Sequence, residues 1–137
     1  MRKIYRTEAF DEFFESLPDN VKEKVRYLLF MITEVKVVNT KVVKKLVDTD
    51  FYELRISVGN EYRAILFTID HDNIVQAEQI LLLNGFMKKS TKDYKKEIQK
   101  AQHILDTYYE KEDWHRENPE TIHYWGYVSA GIRAEGN

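Results

Sequence analysis

The chain has 137 residues, no cysteine and a formal net charge of −2 at pH 7. This length suits one domain with its own core, and 43% hydrophobic with 32% charged residues is typical of a globular protein rather than a disordered one. The lack of cysteine excludes a disulfide framework and a thiolate site, and it favours a cytoplasmic location. Because no apolar segment follows the basic N-terminus and no stretch is apolar enough to span a bilayer, we expect neither a signal peptide nor a membrane contact.

The charges are unevenly distributed. Residues 111–137 hold 3 of the 21 basic and 5 of the 23 acidic residues, which leaves 18 of each in residues 1–110. We therefore predict one domain over residues 1–110 and an acidic, aromatic-rich C-terminal extension over residues 111–137. Within residues 88–100, six lysines face only Asp93 and Glu97. This local positive patch can bind phosphate groups even though the whole chain is slightly acidic.

Two amphipathic helices are predicted at the start of the chain. The first, from about Glu8 to Ser16, has Thr7 as its N-cap and an apolar face of Phe10, Phe13, Phe14 and Leu17. The second begins with Pro18 in its first turn and repeats apolar residues at helical spacing from Val21 to Val35. Residues 37–47 form either a connection or an edge strand, and the sequence does not decide between the two.

From Phe51 onward, apolar and polar residues alternate with a period of two, which indicates strands. A two-residue turn at Gly59-Asn60 would place Ile56 opposite Arg63, mixing the apolar face with a charge. A three-residue loop avoids this and makes Arg55 the cross-strand neighbour of Arg63. A third strand is predicted from Ile74 to Leu83, and its continuous apolar end suggests burial on both faces.

A last helix, capped by Ser90 or Thr91, carries one apolar stripe formed by Tyr94, Ile98, Ala101, Leu105 and Tyr108. The predicted fold class is α+β. It has two N-terminal helices, a small, twisted, mainly antiparallel sheet arranged as a meander, and a C-terminal helix packed on the sheet.

The opposed arginines need compensation, because like charges directly opposite each other destabilise a sheet. Glu53 and Glu61 share their face and can pair with them. Alternatively, an anionic ligand binds there, since the guanidinium fork matches phosphate oxygens and Lys88-Lys89 can close such a site. Both explanations stay open at this stage.

Two further features bear on chemistry. Phe86, between Gly85 and the lysines, either stacks on an RNA base or belongs to the core. The four histidines fall in a turn, on a polar helix side and in the extension, and no metal-ligand spacing or phosphate loop is present. We therefore expect no metal and no cofactor.

The ordered series Leu54-Arg55, Tyr62-Arg63, Gly85-Phe86 and Lys88-Lys89, followed by a lysine-rich helix, resembles the RelE/HigB superfamily of toxin endoribonucleases, most closely its HigB-like branch. The resemblance implies a RelE-like fold and a toxin that enters the ribosomal A site and cuts messenger RNA, leaving a cyclic phosphate. It also implies an antitoxin partner, often with a helix-turn-helix DNA-binding domain.

Transferred residue by residue, the resemblance implies that Arg55 and Arg63 bind the scissile phosphate and that Lys88 and Lys89 bind phosphate or transfer protons. The predicted RNA-binding residues are Phe86, Lys44, Lys45 and Lys92. Tyr94, His103 and Tyr108 are possible general acids, none of them assigned. The competing hypothesis is a non-catalytic RNA- or antitoxin-binding protein of the same fold. It is favoured if the basic side chains diverge or if Glu53, Glu61 and the extension neutralise them.

Overall fold

The computed structural model describes the backbone of residues 1–115 and the side chains of residues 1–109. Its elements in chain order are β1 (Lys3–Arg6), α1 (Glu8–Glu15), α2 (Asp19–Glu34), β2 (Val43–Lys45), β3 (Phe51–Val58), β4 (Asn60–Thr68), β5 (Gln79–Met87) and α3 (Lys92–His115). The five strands form one sheet in the order β1-β5-β4-β3-β2, and β1 runs parallel to β5 while the other neighbours are antiparallel. The predicted α+β class and its β3-β4-β5 meander are confirmed.

The sheet separates two apolar cores. One lies between the sheet and the helices α1 and α2, and its fully buried members include Phe10, Leu29, Leu54 and Leu82. The other lies under α3 and includes Phe51, Ile65, Leu81 and Leu83. The run Ile80 to Leu83 contributes alternately to both cores, which confirms that this part of β5 is buried on both faces.

The first helix begins as its sequence predicts. The Thr7 hydroxyl accepts a hydrogen bond from the Phe10 N–H at 3.1 Å, so Thr7 is the N-cap of α1. The same hydroxyl donates to the Leu83 carbonyl oxygen at 2.5 Å, which ties the start of α1 to β5. Pro18 takes the N-cap position of α2 rather than its first turn.

The hairpin register follows the three-residue loop. Tyr52, Leu54 and Ile56 of β3 lie opposite Leu66, Ala64 and Tyr62 of β4, and Arg55 lies opposite Arg63, as predicted. Gly59 occupies the turn with φ 71°, in the left-handed region that glycine adopts without a steric penalty.

Two strand assignments differ from the sequence interpretation. The four-residue strand β1 was not predicted, because Lys3-Ile4-Tyr5-Arg6 is too short to show a period. The third strand was predicted from Ile74 but begins at Gln79 and extends to Met87. The Asn73 carbonyl oxygen accepts the N–H groups of Gln76 and Ala77 at 3.0 and 2.9 Å, which bends this segment into a turn.

Within residues 37–47, the edge-strand alternative is the correct one, since β2 pairs with β3. All members of the apolar stripe predicted for α3 pack in the second core. The N-terminus of α3 is held by Asp93, whose carboxylate accepts the N–H groups of Lys89 and Ser90 at 2.7 and 3.0 Å. Asn84 of β5 docks the same helix by donating to the Glu97 carbonyl oxygen at 3.2 Å. The extension predicted over residues 111–137 lies outside the described residues beyond the last turn of α3.

A buried arginine fastens the N-terminus to the rest of the domain. Arg2 is 5% exposed, and its guanidinium donates to five backbone carbonyl oxygens. Three of them belong to Ile32, Val35 and Lys36 at the end of α2, where helix carbonyls lack intrahelical partners. The other two belong to the segment before β5. Burial lowers the pKa of Arg2 below its ordinary value.

Candidate functional site

The predicted arginines meet on the α3 side of the sheet, where the hairpin register makes Arg55 and Arg63 direct neighbours. Glu53 precedes Arg55 by two residues and Glu61 precedes Arg63 by two, so all four side chains share one face. Tyr94, in the first turn of α3, reaches the same group. We call Glu53, Arg55, Glu61, Arg63 and Tyr94 the arginine cluster.

Glu53 links the members of this cluster. Its two carboxylate oxygens lie 3.3 Å from the Nε atoms of Arg63 and Arg55, one oxygen to each. The oxygen nearer Arg63 also accepts the Tyr94 hydroxyl at 2.5 Å. The Glu53 side chain is 5% exposed, so this negative charge is compensated by protein groups rather than by water. A single buried carboxylate therefore holds two arginines of neighbouring strands in place.

The two arginines differ in how much of each side chain is exposed to solvent. Arg63 is 4% exposed and donates to the Tyr94 hydroxyl at 2.9 Å, to Glu61 at 3.1 Å and to the Tyr62 carbonyl oxygen at 2.9 Å. The Arg55 side chain is 36% exposed, and its Nε is buried without a well-aligned hydrogen bond in the described part of the chain. Of the two, Arg55 is the one whose side chain a ligand can reach from solvent, while Arg63 is enclosed by its protein partners.

The electrostatics follow from these contacts. Burial and the hydrogen bond to Glu53 raise the pKa of Tyr94, so its hydroxyl stays protonated and donates to the carboxylate. Burial alone lowers the pKa of Arg63, but the contacts with Tyr94, Glu61 and Glu53 raise it above its ordinary value. Hydrogen bonds from Ser57 and Arg63 lower the pKa of Glu61. The contacts therefore favour a neutral Tyr94 hydroxyl, an ionised Glu61 and a charged Arg63.

The predicted lysines lie at the end of β5, beside the cluster. The Lys88 N–H donates to the Glu61 carbonyl oxygen at 2.8 Å, and its Nζ lies 5.6 Å from the centre of the Tyr94 ring. Lys88 thus adds a third positive charge to the site. Lys89 is exposed, and its backbone N–H binds Asp93. The structure brings Lys88 to the cluster, whereas the Lys89 side chain has no contact with it among the described residues.

The predicted RNA-binding residues are placed differently from one another. Phe86 is 9% exposed and packs edge-on against Tyr94, with ring centres 5.5 Å apart, so its contacts support the core alternative that the sequence left open. Lys44 lies opposite Glu53 on the cluster face and is exposed. Lys45 lies opposite Tyr52 and covers that ring on the other face. Lys92 is exposed in the first position of α3.

Sequence reasoning left open whether Glu53 and Glu61 pair with the arginines, and it placed Tyr94 in the apolar stripe of α3 without assigning it a role. Tyr94 lies in the apolar stripe of α3, yet its hydroxyl joins Glu53 to Arg63 across 41 and 31 residues of sequence. The only signal in the sequence is its position in the first turn of a helix that follows the Lys88-Lys89 pair. Within the described residues, no three carboxylate or imidazole groups come together in a way that could hold a metal ion.

A comparison with protein families identifies the relatives of this chain. The family described as Phage derived protein Gp49-like (DUF891) matches residues 12–106, more than two thirds of the chain. The chain belongs to this Gp49-like family. The family is a RelE/HigB-type toxin family of toxin-antitoxin systems, which confirms the resemblance at that level and implies an antitoxin partner. A search of curated proteins found no match.

The matched range contains the whole arginine cluster together with Lys44, Lys88, Lys89 and Lys92. The placement within the HigB-like branch stays a prediction, as do the roles of the individual site residues. None of the helices in residues 1–115 is both long and apolar enough to cross a membrane.

Proposed function

We propose that this Gp49-like protein is the toxin of a toxin-antitoxin pair and a metal-independent endoribonuclease that cuts messenger RNA on the ribosome. The observation that carries this proposal is the arginine cluster, in which Glu53 holds the partly exposed Arg55 next to Arg63 and Lys88 lies over the ring of Tyr94. Cations fixed in this way can stabilise a phosphate whose charge increases during cleavage. Family membership supports a toxin of the RelE-like kind.

Cleavage without a metal uses the RNA's own 2′-hydroxyl. Its oxygen attacks the adjacent phosphorus and loses its proton, and the bond to the 5′-oxygen breaks as that oxygen gains a proton. The products are a 2′,3′-cyclic phosphate and a 5′-hydroxyl end. The protein must place the phosphate, neutralise its developing charge and move two protons.

Within this mechanism, the terminal nitrogens of Arg55 contact the scissile phosphate, and Lys88 approaches it from the end of β5. Arg63 acts mainly as a positioning residue, since it is buried and already bonded to Glu53, Glu61 and Tyr94. This division departs from the sequence expectation that both arginines touch the phosphate. Lys89 remains a phosphate-binding candidate at the exposed rim.

The basic residues outside the cluster give a path for the rest of the RNA. Lys44 lies on the cluster face of the edge strand β2, and Lys92 lies at the start of α3. Both are exposed, so they can contact backbone phosphates of messenger or ribosomal RNA. The general acid stays unassigned.

One observation favours a second candidate, a non-catalytic RNA- or antitoxin-binding protein of the same fold. Glu53 and Glu61 each form an ion pair with Arg63, and Glu53 also pairs with Arg55. The cluster is then neutral without Lys88, and its attraction for phosphate depends on that lysine and on the surrounding patch. A degenerate toxin would have this balance of charge.

The deciding experiment is induction of the wild type and of Arg55→Ala in growing bacteria, with the 5′ ends of cellular messages mapped by sequencing. We expect growth arrest and new cuts in translated messages with the wild type. Arg55→Ala should reduce the cuts by about 100-fold or more, as the loss of one transition-state donor does. Arg26→Ala, an exposed arginine on α2 away from the cluster, is the matched control and should cut like the wild type.

All three proteins must be shown to be folded by circular dichroism and to be equally expressed. Intact messages and unaffected growth with the folded wild type would establish the non-catalytic alternative. If Arg55→Ala makes the same cuts as the wild type, the protein is still a nuclease, but Arg55 is not part of its active site.

A further inference from the structure

The two edges of the sheet are protected to different degrees. The edge strand β2 has only three residues, and Lys44 and Lys45 are exposed on it. Short length and lysine are common devices that keep an edge strand from pairing with another chain. At the opposite side, β1 pairs only with residues 79–82 of β5. Residues 83–87 therefore have no neighbouring strand on that side within the described part of the chain.

The backbone of this open segment presents hydrogen-bonding groups to the exterior. The Lys88 N–H donates to the Glu61 carbonyl oxygen at 2.8 Å, so Lys88 points its backbone groups toward β4. Because successive residues of a strand point to alternate sides, Met87 and Gly85 direct their N–H and C=O groups away from β4. The Leu83 carbonyl oxygen is already occupied by the Thr7 hydroxyl. Among residues 1–109, no hydrogen-bond partner is seen for the outward donors and acceptors of Gly85 and Met87.

These groups lie along a groove of about 620 Å³. Its lining includes Phe13 of α1, Lys100 of α3 and the strand residues Gly85, Phe86 and Met87. Gly85 is required here, because a Cβ at this position would lie 2.3 Å from the Phe13 ring. The segment of residues 83–87 contains neither a charge nor a proline, and Met87 is 40% exposed. Charge and proline, two of the usual devices that protect an edge, are therefore absent from this segment, although a shift in the β4-β5 register lies at its start.

We propose that an extended segment of a partner polypeptide binds in this groove and pairs with Gly85 and Met87 as an additional strand. A polypeptide backbone supplies donors and acceptors at the spacing of a strand, which a ribose-phosphate chain does not. Apolar side chains of the segment pack against Phe13 and Met87. Acidic side chains on the α3 side face Lys100, which belongs to the lysine-rich start of that helix. This site does not depend on the proposed RNA chemistry.

The test uses the full chain and a capped eight-residue peptide of alternating valine and glutamate as the probe. Amide hydrogen exchange and ¹⁵N NMR shifts are followed during titration. We expect the Gly85 and Met87 amides to exchange rapidly in the free chain and to become protected when the peptide binds. The same peptide methylated on alternate backbone nitrogens keeps its side chains but loses its donors, and it should bind at least about fivefold more weakly.

Two variants at one position separate the backbone contact from the apolar contact. Met87→Pro removes the outward N–H, which takes no part in the β4 ladder, and an edge position tolerates proline. We expect it to weaken peptide binding about fivefold or more. Met87→Leu keeps the amide and a similar apolar side chain, so it should bind like the wild type.

Four outcomes would overturn the proposal. Protection of the Gly85 and Met87 amides in the free monomer would assign the edge to another segment of this chain. Protection that appears together with dimerisation would assign it to a second copy. Shifts of the same amides by a single-stranded oligonucleotide but not by the peptide would assign the groove to RNA. Unchanged amides up to the solubility limit of the peptide would show that the edge binds no strand.

Discussion

Two buried arginines lie in different parts of this domain, and they are compensated in different ways. Arg2, 5% exposed, donates only to backbone carbonyl oxygens around the end of α2 and the segment before β5. Arg63, 4% exposed, donates to a carboxylate, a phenol and one carbonyl, and forms a second ion pair with Glu53. The first guanidinium is bonded to the fixed backbone, whereas the second is bonded mainly to side chains that can change rotamer or protonation state.

This difference separates a structural charge from one that can take part in binding. Releasing Arg2 would leave five carbonyl oxygens to find other donors, which requires the N-terminus to leave the domain. In the cluster, an incoming anion can replace part of the Glu53 interaction with Arg55, whose side chain is 36% exposed. Phosphate chemistry is therefore expected at the β3-β4 face, and the Arg2 region should affect stability alone.

The largest effect is expected from Arg2→Met, which keeps much of the side-chain volume and removes every donor. We expect the free energy of unfolding to fall by about 3 to 5 kcal/mol, because several buried acceptors lose a charged partner at once. Urea denaturation measures this, with the exposed Lys41→Met as the control, expected to stay within about 0.5 kcal/mol of the wild type. A loss below about 1 kcal/mol would show that water or neighbouring donors replace the guanidinium.

An intermediate effect is expected from Glu53→Gln, which keeps the shape of the carboxylate and removes its charge. The two arginines then oppose each other with less compensation, and we expect unfolding to become easier by about 2 to 3 kcal/mol. Added inorganic phosphate should restore stability to this variant more than to the wild type, since the anion can take the place of the carboxylate.

Thermal unfolding with and without phosphate at constant ionic strength measures this difference. Glu23→Gln on the exposed face of α2 is the control and should respond to phosphate like the wild type. Equal responses of Glu53→Gln and the wild type would mean that the cluster does not accept an external anion. The cluster would then be a purely structural set of charges, like the Arg2 region.

The sequence predicted the parts of the site that depend on local period. The alternation from Phe51 onward was regular enough to set the hairpin register, and this register placed Arg55 beside Arg63. Thr7 and the apolar stripe of α3 were likewise visible, because caps and helical faces are short-range features. The short strand β1 and the start of β5 were not, since side-chain and backbone bonds at Asn73 override the apolar pattern that begins at Ile74.

The long-range contacts of the two buried arginines could not be predicted from the sequence pattern. Arg2 meets its acceptors 30 to 75 residues away, and Tyr94 meets Glu53 across 41 residues. Such bonds depend on how two helices and a sheet pack together, which composition and periodicity do not specify. The open edge at Met87 also became visible only when β1 was seen to stop beside residue 82 of β5.

The smallest effect is expected from Tyr94→Phe, which removes the hydroxyl and keeps the ring contacts with Phe86 and Lys88. At pH 7 we expect the free energy of unfolding to fall by about 1 to 2 kcal/mol, because Glu53 and Arg63 each lose one hydrogen bond. The pKa of Tyr94 is raised in the folded state by burial and by Glu53. A raised pKa contributes stability that is complete below the ordinary value of 10.0 and is lost as pH rises through the folded value.

The stability difference between the wild type and Tyr94→Phe should therefore be constant from pH 7 to about 9 and narrow above about pH 10. Urea denaturation across this range measures it, with the exposed Tyr27→Phe as the control, in which no such narrowing is expected. A difference that widens at high pH would mean that ionised Tyr94 is stabilised by Arg63 more than it is repelled by Glu53. In that case the arginine, rather than the carboxylate, would dominate the cluster, and an incoming phosphate would meet a more positive site than the neutral balance of charges implies.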